Sequence, residues 1–282
     1  MSISGVTVVV VSYNQGAFLR QAIDSVLHQT LNVDKLIIIN NGSLDATDEI
    51  AREYLSLYYP TIEYHPYHHN RGQLFAFNRG LELATTDYTC FLDADDELDH
   101  TYIAKLLYGF SKNKTAAISY SNTLLFGPRE KSAWLSFPTE WRKKEGSSYT
   151  LHHPSYSDSM KYEIKRNNYI NNAAIFKTNL AKEVGGFVEH NRYDIHHFLW
   201  YRLFDAGHTA IHIPHILYRY RQHSIMQAHW LWMMRKIEAS NPEDQHILYF
   251  QEEIERLKNS PFYKTEQVLA RLADNFKCDC EK

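Results

Sequence analysis

Residues 88–96, YTCFLDADD, are the stretch from which the fold can be worked out. An apolar run leads directly into Asp93, Asp95 and Asp96, with no glycine or proline between them. Such a run is typical of a strand that is buried in a sheet and carries polar residues at its carboxyl end. Ligands of parallel α/β sheets bind at that end of the strands. The stretch therefore predicts both a central strand and a candidate site.

Strand and helix patterns alternate on the N-terminal side of this stretch. Residues 6–11 and 35–39 are continuous branched apolar runs, and residues 61–65 predict a third strand. Between the strands, the residue spacing predicts helices over 18–27, 47–58 and 73–84. This alternation indicates βαβ units, so we expect an α/β fold with a mostly parallel sheet flanked by helices.

The pattern is looser after residue 100. Residues 101–110 predict a helix and 116–126 a strand, and shorter helices are expected to end near Gly186 and Gly207. The polar, aromatic-rich residues 127–154 predict a long lid or binding loop. Near the end of the chain, Asn241-Pro242 and Ser260-Pro261 are helix-start signals, so we expect a C-terminal helical extension.

The composition excludes several classes of protein. Apolar residues make up 44% and aromatic residues 14% of the chain, which is enough for a sizeable core and excludes disorder. The 30 basic and 33 acidic residues give a net charge of −3, which argues against a nucleic-acid-coating protein. The apolar runs are far below the roughly 20 residues of a membrane-spanning helix. Residues 1–5 show no secretory signal pattern, and three cysteines fit the cytoplasm.

The acidic cluster has a specific chemical consequence. Three carboxylates within four residues repel one another unless a cation neutralises them, and hard oxygen ligands suit Mg²⁺ or Mn²⁺. The alternative is a solvated acidic helix start, since Glu97 and Asp99 follow. The chain contains neither the glycine-rich fingerprint of a dinucleotide-binding domain nor a phosphate-binding P-loop. A phosphate site here therefore depends on a metal and on side chains.

The order of the short motifs resembles that of family 2 glycosyltransferases. The resemblance covers roughly residues 5–223. It is carried by residues 6–14 (VTVVVVSYN), 22–30 (AIDSVLHQT), 37–43 (IIINNGS), 70–72 (NRG), 78–81 (NRGL), 91–96 (FLDADD), 185–187 (GGF), 199–203 (LWYRL) and 213–223 (IPHILYRYRQH).

The resemblance implies a GT-A fold and an inverting, metal-assisted sugar transfer that uses Mn²⁺ or Mg²⁺. The donor is then a nucleoside-diphosphate sugar, UDP-linked in the usual family pattern, and the acceptor is a glycan or a lipid-linked glycan. Residues 1–224 are expected to form the GT-A domain, with a nucleotide-binding half at 1–100 and an acceptor half at 101–224. Residues 225–282 are expected to form the helical extension.

The family pattern also implies roles for individual residues. Asp93, Asp95 and His223 are expected to lie at the metal. The residues expected to line the nucleotide pocket are Ser12, Tyr13, Asn14, Asn41, Asn70, Asn78, Asp93 and Ala94.

The sequence departs from the family pattern at three places. Asn40-Asn41 replaces two acids, and because an amide can donate as well as accept, the preference for uridine is expected to be relaxed. Phe77 stands where the family has an arginine. Ile195-His196 stands where the family has its acid pair, so we expect His196 to be the general base, with Asp194 as its helper or its replacement.

Other interpretations remain open at this stage. A haloacid-dehalogenase-type phosphatase also carries Asp-x-Asp after a strand, but Glu97 stands where that motif needs Thr or Val. A nucleotide-sugar pyrophosphorylase lacks support because residues 12–16 are not a glycine-rich, arginine-containing loop. A catalytically impaired GT-A-shaped binding subunit is the alternative of a different class. Residues 230–236, an aromatic stretch followed by two basic residues, are typical of a helix docked on the domain, with peripheral membrane contact as the alternative.

Overall fold

Helices cover both faces of a mostly parallel sheet in the computed structural model, which describes residues 5–190 and 194–222. The strands are β1 (Val6–Ser12), β2 (Lys35–Asn41), β3 (Ile62–Tyr67), β4 (Tyr88–Asp93), β5 (Glu97–Leu98), β6 (Ala116–Phe126), β7 (Arg142–Glu145), β8 (Ser148–Leu151), β9 (Ile175–Lys177) and β10 (Thr209–Arg221). The helices are α1 (Gly16–Leu27), α2 (Thr47–Tyr58), α3 (Gln73–Leu83), α4 (Tyr102–Lys112), α5 (Glu130–Ser136), α6 (Met160–Glu163), α7 (Thr178–Glu183) and α8 (Ile195–Asp205).

The strand order places the N-terminal βαβ units at one side of the sheet. The order is β3-β2-β1-β4-β9-β6-β10-β5, and the first four of these strands are parallel. The short strand β9 is antiparallel to both β4 and β6, and it joins the two halves of the sheet. The long strand β10 is parallel to β6 and antiparallel to β5.

Alternate residues of the central strands pack into two cores, one on each face of the sheet. Val8 and Val10 of β1 belong to one core, and Val9 belongs to the other. All three are fully buried. A strand buried on both faces needs an apolar residue at every position, so the continuous run is the sequence signature of this arrangement.

The structure confirms the α/β fold class and the main predicted elements. The predicted strand at 116–126 has the bounds of β6, and the helices predicted at 47–58 and 73–84 correspond to α2 and α3. Gly186 and Gly207 follow α7 and α8 with positive φ values of 67° and 87°, the backbone conformation in which helices commonly end.

The prediction of a long loop at 127–154 is wrong. This segment contains α5, a 3₁₀ turn at Thr139–Trp141, and the antiparallel hairpin β7–β8, which pairs with β6. Strand β7 is polar and largely exposed, and the four residues of β8 are partly or fully buried but too few to show a hydrophobic period from which a strand could be predicted.

Several sequence-based predictions lie outside the described residues. These are the helical extension at 225–282, the aromatic stripe at 230–236 and the metal-ligand role of His223. Within the ranges that are described, no helix is both long and apolar enough to cross a membrane.

Candidate active site

The acidic cluster lies at the carboxyl end of β4, as its position in the sequence predicts. Asp93 is the last residue of the strand, and the backbone N–H of Asp96 donates to the Asp93 carbonyl at 3.0 Å, which closes a tight turn. Asp95 is only 6% exposed, and Ala94 and Asp96 are fully buried. Three carboxyl groups are thus held close together in a site with little access to water.

The third of these carboxyl groups has a structural role. Asp96 accepts hydrogen bonds from the Tyr218 hydroxyl and, at 2.8 Å, from the backbone N–H of Arg221, both on β10. Burial, followed by the charges of Asp95 and Asp93, raises the Asp96 pKa well above its usual range. Asp96 therefore fixes the acidic turn to β10.

Arg221 is a site residue that the sequence analysis missed. Its Nε donates to the Asp95 carbonyl at 2.7 Å, and its Nη2 donates to Glu97 and Gln21, each also at 2.7 Å. The guanidinium lies 4.4 Å from the centre of the Phe126 ring. The signal available in the sequence was the Tyr-Arg-Tyr-Arg repeat, but the partners of that repeat are more than 90 residues distant along the chain.

Asp93 and Asp95 form a donor set that fits a hard divalent cation. The Asp93 pKa is raised to about 7, mainly by burial and then by the charge of Asp95, while a hydrogen bond from Asn172 opposes the shift and the charge of Asp194 adds to it. A divalent cation would relieve this repulsion, and carboxylate oxygens suit Mg²⁺ or Mn²⁺. Within residues 5–190 and 194–222, no three His, Cys, Asp or Glu side chains converge to hold an ion.

The β1–α1 loop is fixed against the β2–α2 loop beside the acidic turn. The Asn14 backbone N–H donates to the Ser43 hydroxyl at 3.0 Å, and the Asn14 side chain accepts from the Leu44 N–H at 2.8 Å. Asn14 has a φ of 54°, which is uncommon outside glycine and is tolerated best by Asn and Asp. Ser12 is buried, and Tyr13 is 39% exposed and therefore accessible to a ligand.

Asn41 holds the loop between β3 and α3. Its Nδ2 donates to the Asn70 side chain at 3.0 Å and to the Gly72 carbonyl at 3.1 Å, and its Oδ1 accepts from the Arg71 N–H at 3.1 Å. Next to it, a Cβ on Gly42 would lie 2.2 Å from the His69 carbonyl carbon, so only glycine fits this close approach of the two loops. The Asn41 amide is therefore held in one orientation by the loop, and Asn70 lies directly against it.

The structure places Asn78 at the junction between the two halves of the domain. Its Nδ2 donates to the Phe187 carbonyl at 2.7 Å, and its Oδ1 accepts from the Phe187 N–H at 2.9 Å. These two bonds join α3 to the segment after α7, so both polar ends of the side chain are occupied by protein. A nucleotide-binding role for Asn78 stays a prediction that these contacts do not support.

Asp194 lies at the N-terminus of α8, where its side chain accepts from the His197 backbone N–H at 2.8 Å. Asp194 is half-buried, and its charge contributes to the raised pKa of Asp93. The cap holds the Asp194 carboxylate in place at the helix N-terminus. The structure thus brings together Asp93 and Asp194, which are 101 positions apart in the numbering.

His196 has a different environment. Its ring lies 4.8 Å from the Phe77 ring and 5.5 Å from the Phe187 ring, measured between centroids, and the residue is only 3% exposed. Burial lowers the His196 pKa to about 4, while the charge of Asp194 opposes the shift. His196 is thus neutral throughout the physiological range, and does not titrate near pH 6.5 as the sequence alone predicts.

Comparison with known proteins identifies the family. Residues 7–181 match the family described as Glycosyl transferase family 2. The chain is 32% identical over 145 residues to the uncharacterized glycosyltransferase YibD of Escherichia coli, a match that covers 51% of this chain and 41% of that protein. It is 24% identical over 283 residues to the O-antigen chain rhamnosyltransferase RfbN of Salmonella typhimurium, covering 95% of this chain and 86% of RfbN. The chain spans less than half the length of several other curated relatives.

Solved structures share the fold at low sequence identity. Residues 1–349 of Staphylococcus aureus TarS superpose with a TM-score of 0.60 at 14% identity, over 86% of this chain and 68% of that chain. The mannosyltransferase PcManGT from Pyrobaculum calidifontis, in complex with GDP-Man and Mn²⁺, superposes with a TM-score of 0.57 at 16% identity, over 83% and 61% of the two chains. TarS has also been solved with UDP and with UDP-GlcNAc.

Proposed function

This chain belongs to glycosyl transferase family 2, and we propose that it transfers a sugar from a nucleoside-diphosphate donor to a glycan or lipid-linked acceptor, with inversion at the anomeric carbon. The observation that carries the proposal is the pair of carboxyl groups at the carboxyl end of β4, on which a third carboxylate acts electrostatically. Asp93 and Asp95 form the acidic turn, and Asp194 adds its charge from the N-terminus of α8. The loops that carry Tyr13 and Asn41 end at the same edge, because β1, β2 and β4 are parallel neighbours.

The nucleotide is assigned to the edge formed by the β1–α1 and β2–α2 loops. Tyr13 is exposed enough to pack against the base, and the hydrogen bonds of Asn14 to Ser43 and Leu44 hold the two loops together beside it. Asp93 and Asp95 are assigned to a divalent cation, Mn²⁺ or Mg²⁺, which when bound supplies charge neutralisation for the leaving diphosphate. The Mn²⁺ in the PcManGT complex supports this assignment.

Asp194 is assigned as the general base. In the transfer, the acceptor oxygen forms a bond to the anomeric carbon while the bond from that carbon to the diphosphate oxygen breaks, and the hydroxyl proton passes to the Asp194 carboxylate. A carboxylate that is capped, half-buried and close enough to Asp93 to raise its pKa is suited to this role. The buried ring of His196, with its pKa near 4, is assigned to packing.

A nucleotide-binding measurement tests the proposal directly. We expect a thermal shift with a nucleoside diphosphate and Mn²⁺, because a ligand that binds only the folded state stabilises it by mass action. Asp95→Asn should abolish the Mn²⁺-dependent shift, whereas Asp87→Asn, at the opposite end of β4, should leave it unchanged. Equal affinity of the wild-type protein with chelator and with Mn²⁺ would contradict the metal assignment.

The base of the donor is tested by competition. A series with UDP, GDP, CDP and dTDP compares the four nucleotides on the same site. TarS has been solved with UDP and PcManGT with GDP-Man, so the shared fold accommodates either base. We expect a relaxed preference for uridine because Asn40-Asn41 replaces two acids. A preference for UDP above about a hundredfold, or about 2.7 kcal/mol, contradicts this expectation.

One observation favours a second candidate, a GT-A-shaped binding subunit without catalysis. His196 stands where the family pattern has an acid and is buried among aromatic rings, which argues against a base at this position. Donor hydrolysis separates the two candidates, since a binding subunit retains the nucleotide-dependent thermal shift but releases no nucleoside diphosphate from the sugar donor.

A further inference from the structure

The segment Glu130 to Leu151 forms a small layer beside the candidate active site. We name it the basic hairpin; it comprises α5, the 3₁₀ turn and the strands β7 and β8. Strand β8 pairs with the carboxyl-terminal part of β6, with Tyr149 opposite Leu125. At the end of β6, the Phe126 ring contacts the Arg221 guanidinium that binds the Asp95 carbonyl. The basic hairpin thus begins at the same edge of the sheet as the acidic turn.

Two aromatic rings and two cations form a continuous ladder on one face of the basic hairpin. The Arg142 guanidinium lies 5.2 Å from the Trp134 ring centre, the Trp134 and Tyr149 rings are 5.4 Å apart, and the Lys144 ammonium lies 5.5 Å from the Tyr149 ring centre. The Trp134 indole N–H donates to the Thr150 carbonyl at 3.0 Å, which fixes the ring. The ladder is therefore an ordered surface, since each cation is positioned by a ring.

The register of the hairpin distinguishes this face from the opposite one. Lys144 lies directly opposite Tyr149, and Arg142 opposite Leu151, so these four side chains share a face. Lys143 lies opposite Thr150 on the other face, although it is as exposed as Lys144. Lys143 is therefore a natural control for Lys144.

The cations of the basic hairpin lack carboxylate partners among the described residues. Lys131, Arg142, Lys143 and Lys144 form no ion pair there, and Glu145 interacts instead with the His152 ring at 3.0 Å. Three of these cations are consecutive in a chain whose net charge is −3. A surface with unpaired positive charge beside a group-transfer site is complementary to an anionic substrate.

We propose that the ladder face of the basic hairpin binds a phosphate-bearing acceptor chain, a polyol phosphate or a sugar phosphate. Arg142 and Lys144 are two residues apart on one strand, about 6.6 Å along it, which is comparable to the separation of successive phosphates in a short polyol phosphate. Arg142 donates to the Leu135 carbonyl at 3.3 Å and to the Thr139 hydroxyl at 2.5 Å, which holds its guanidinium in place, and the two cations then bind successive phosphates. The inference rests on the proposed transferase function, because it names the acceptor class of that same site.

Direct binding tests the inference with defined probes. Calorimetry compares a hexamer of glycerol phosphate with maltohexaose, a neutral chain of equal unit number, and with vesicles of equal parts phosphatidylglycerol and phosphatidylcholine. We expect the wild-type protein to bind the glycerol phosphate hexamer, less tightly as salt increases, and not to bind maltohexaose. Lys144→Glu should weaken binding of the hexamer about tenfold, or about 1.4 kcal/mol, since an exposed ion pair is lost and is replaced by repulsion.

Matched variants distinguish binding at the ladder face from a general effect of the net charge. Lys143→Glu changes the net charge equally on the opposite face, and Lys112→Glu removes a lysine that lies 4.9 Å from the exposed Tyr108 ring on α4. Both should weaken hexamer binding less than threefold. Equal losses in the three variants, or no hexamer binding by the wild-type protein, overturn the inference. So does binding to the vesicles alone, which would make this a membrane contact.

The nucleotide measurements distinguish this inference from the proposed function. Lys144→Glu should leave the Mn²⁺-dependent thermal shift and donor hydrolysis unchanged, because Lys144 touches neither Asp95 nor Asp194. If the wild-type protein hydrolyses a donor but does not bind the hexamer, the acceptor inference fails and the transferase proposal stands. If it binds the hexamer but neither binds nor hydrolyses any nucleotide sugar, the transferase proposal fails, and the acceptor role fails with it.

Discussion

Asp194→Asn separates catalysis from folding more cleanly than other substitutions at this site. The Asp194 side chain accepts from the His197 N–H at 2.8 Å, and asparagine caps a helix N-terminus about as well as aspartate. The free energy of unfolding should therefore change by less than about 0.5 kcal/mol. Asp194→Ala, which removes the cap, should cost about 1 kcal/mol.

The effect on the rate is expected to be far larger than the effect on stability. An amide cannot accept the proton of the acceptor hydroxyl, and the loss of a general base typically lowers turnover by about 10²- to 10⁴-fold. This corresponds to about 2.7–5.4 kcal/mol in the activation free energy. Donor binding should hardly change, since the acidic turn and the two loops at the nucleotide remain intact.

The assay is donor hydrolysis, in which water replaces the acceptor hydroxyl, using the nucleotide sugar selected by the thermal-shift screen. Asp205→Asn, at the opposite end of the same helix, is the matched control and should retain full activity. Turnover of Asp194→Asn within threefold of the wild-type value would refute the reasoning. If His196→Phe then lost the activity instead, the role of base would pass to the histidine.

Three further predictions follow from buried polar contacts. Asn41→Asp should lower the free energy of unfolding by about 2 kcal/mol in urea, because a carboxylate cannot donate to Asn70 and Gly72; an unchanged midpoint contradicts this. His196 has a folded-state pKa of about 4 against about 6.5 unfolded, so the stability it contributes is complete above pH 6.5 and is lost as the pH falls toward 4. Between pH 8 and pH 5 the wild-type protein should therefore lose about 2 kcal/mol more than His196→Phe does. Phe77→Arg and His196→Asp should each destabilise the fold by about 3 kcal/mol, while the double variant recovers at least about 1 kcal/mol of the sum; strict additivity contradicts this.

The N-terminal half could be predicted because its structural signals are local. A strand buried on both faces needs a continuous apolar run, and β1 and β2 each carry one. The basic hairpin could not be predicted in this way, since it is stabilised by the contact of Trp134 with Tyr149 and by pairing to β6. Short polar strands acquire their conformation from such neighbours, which no local period reveals.

Only part of the candidate site could be predicted from the sequence. The position of Asp93 and Asp95 at the end of an apolar strand follows from residues 88–96 alone. The structural roles of Asp96 and Asn78 do not follow from the local sequence. The hydrogen-bond partner of Asp96 is Arg221, 125 positions away, and that of Asn78 is Phe187, 109 positions away. A short motif indicates which polar side chains lie close together, but only the tertiary fold determines which of them are already hydrogen-bonded to other parts of the protein.

The departures from the family pattern at Phe77 and His196 are a single structural feature. In the sequence they are two independent losses, an arginine in one half and an acid in the other, and the second suggests an impaired site. In the structure the two rings contact each other edge to face, with centroids 4.8 Å apart, and both residues are almost fully buried. An aromatic contact therefore stands at the two positions where the family pattern has a basic and an acidic residue, and packed rings can take the place of charged side chains in a core without a loss of stability. Because His196 takes part in this packing, the role of general base that we propose falls to Asp194 at the N-terminus of α8.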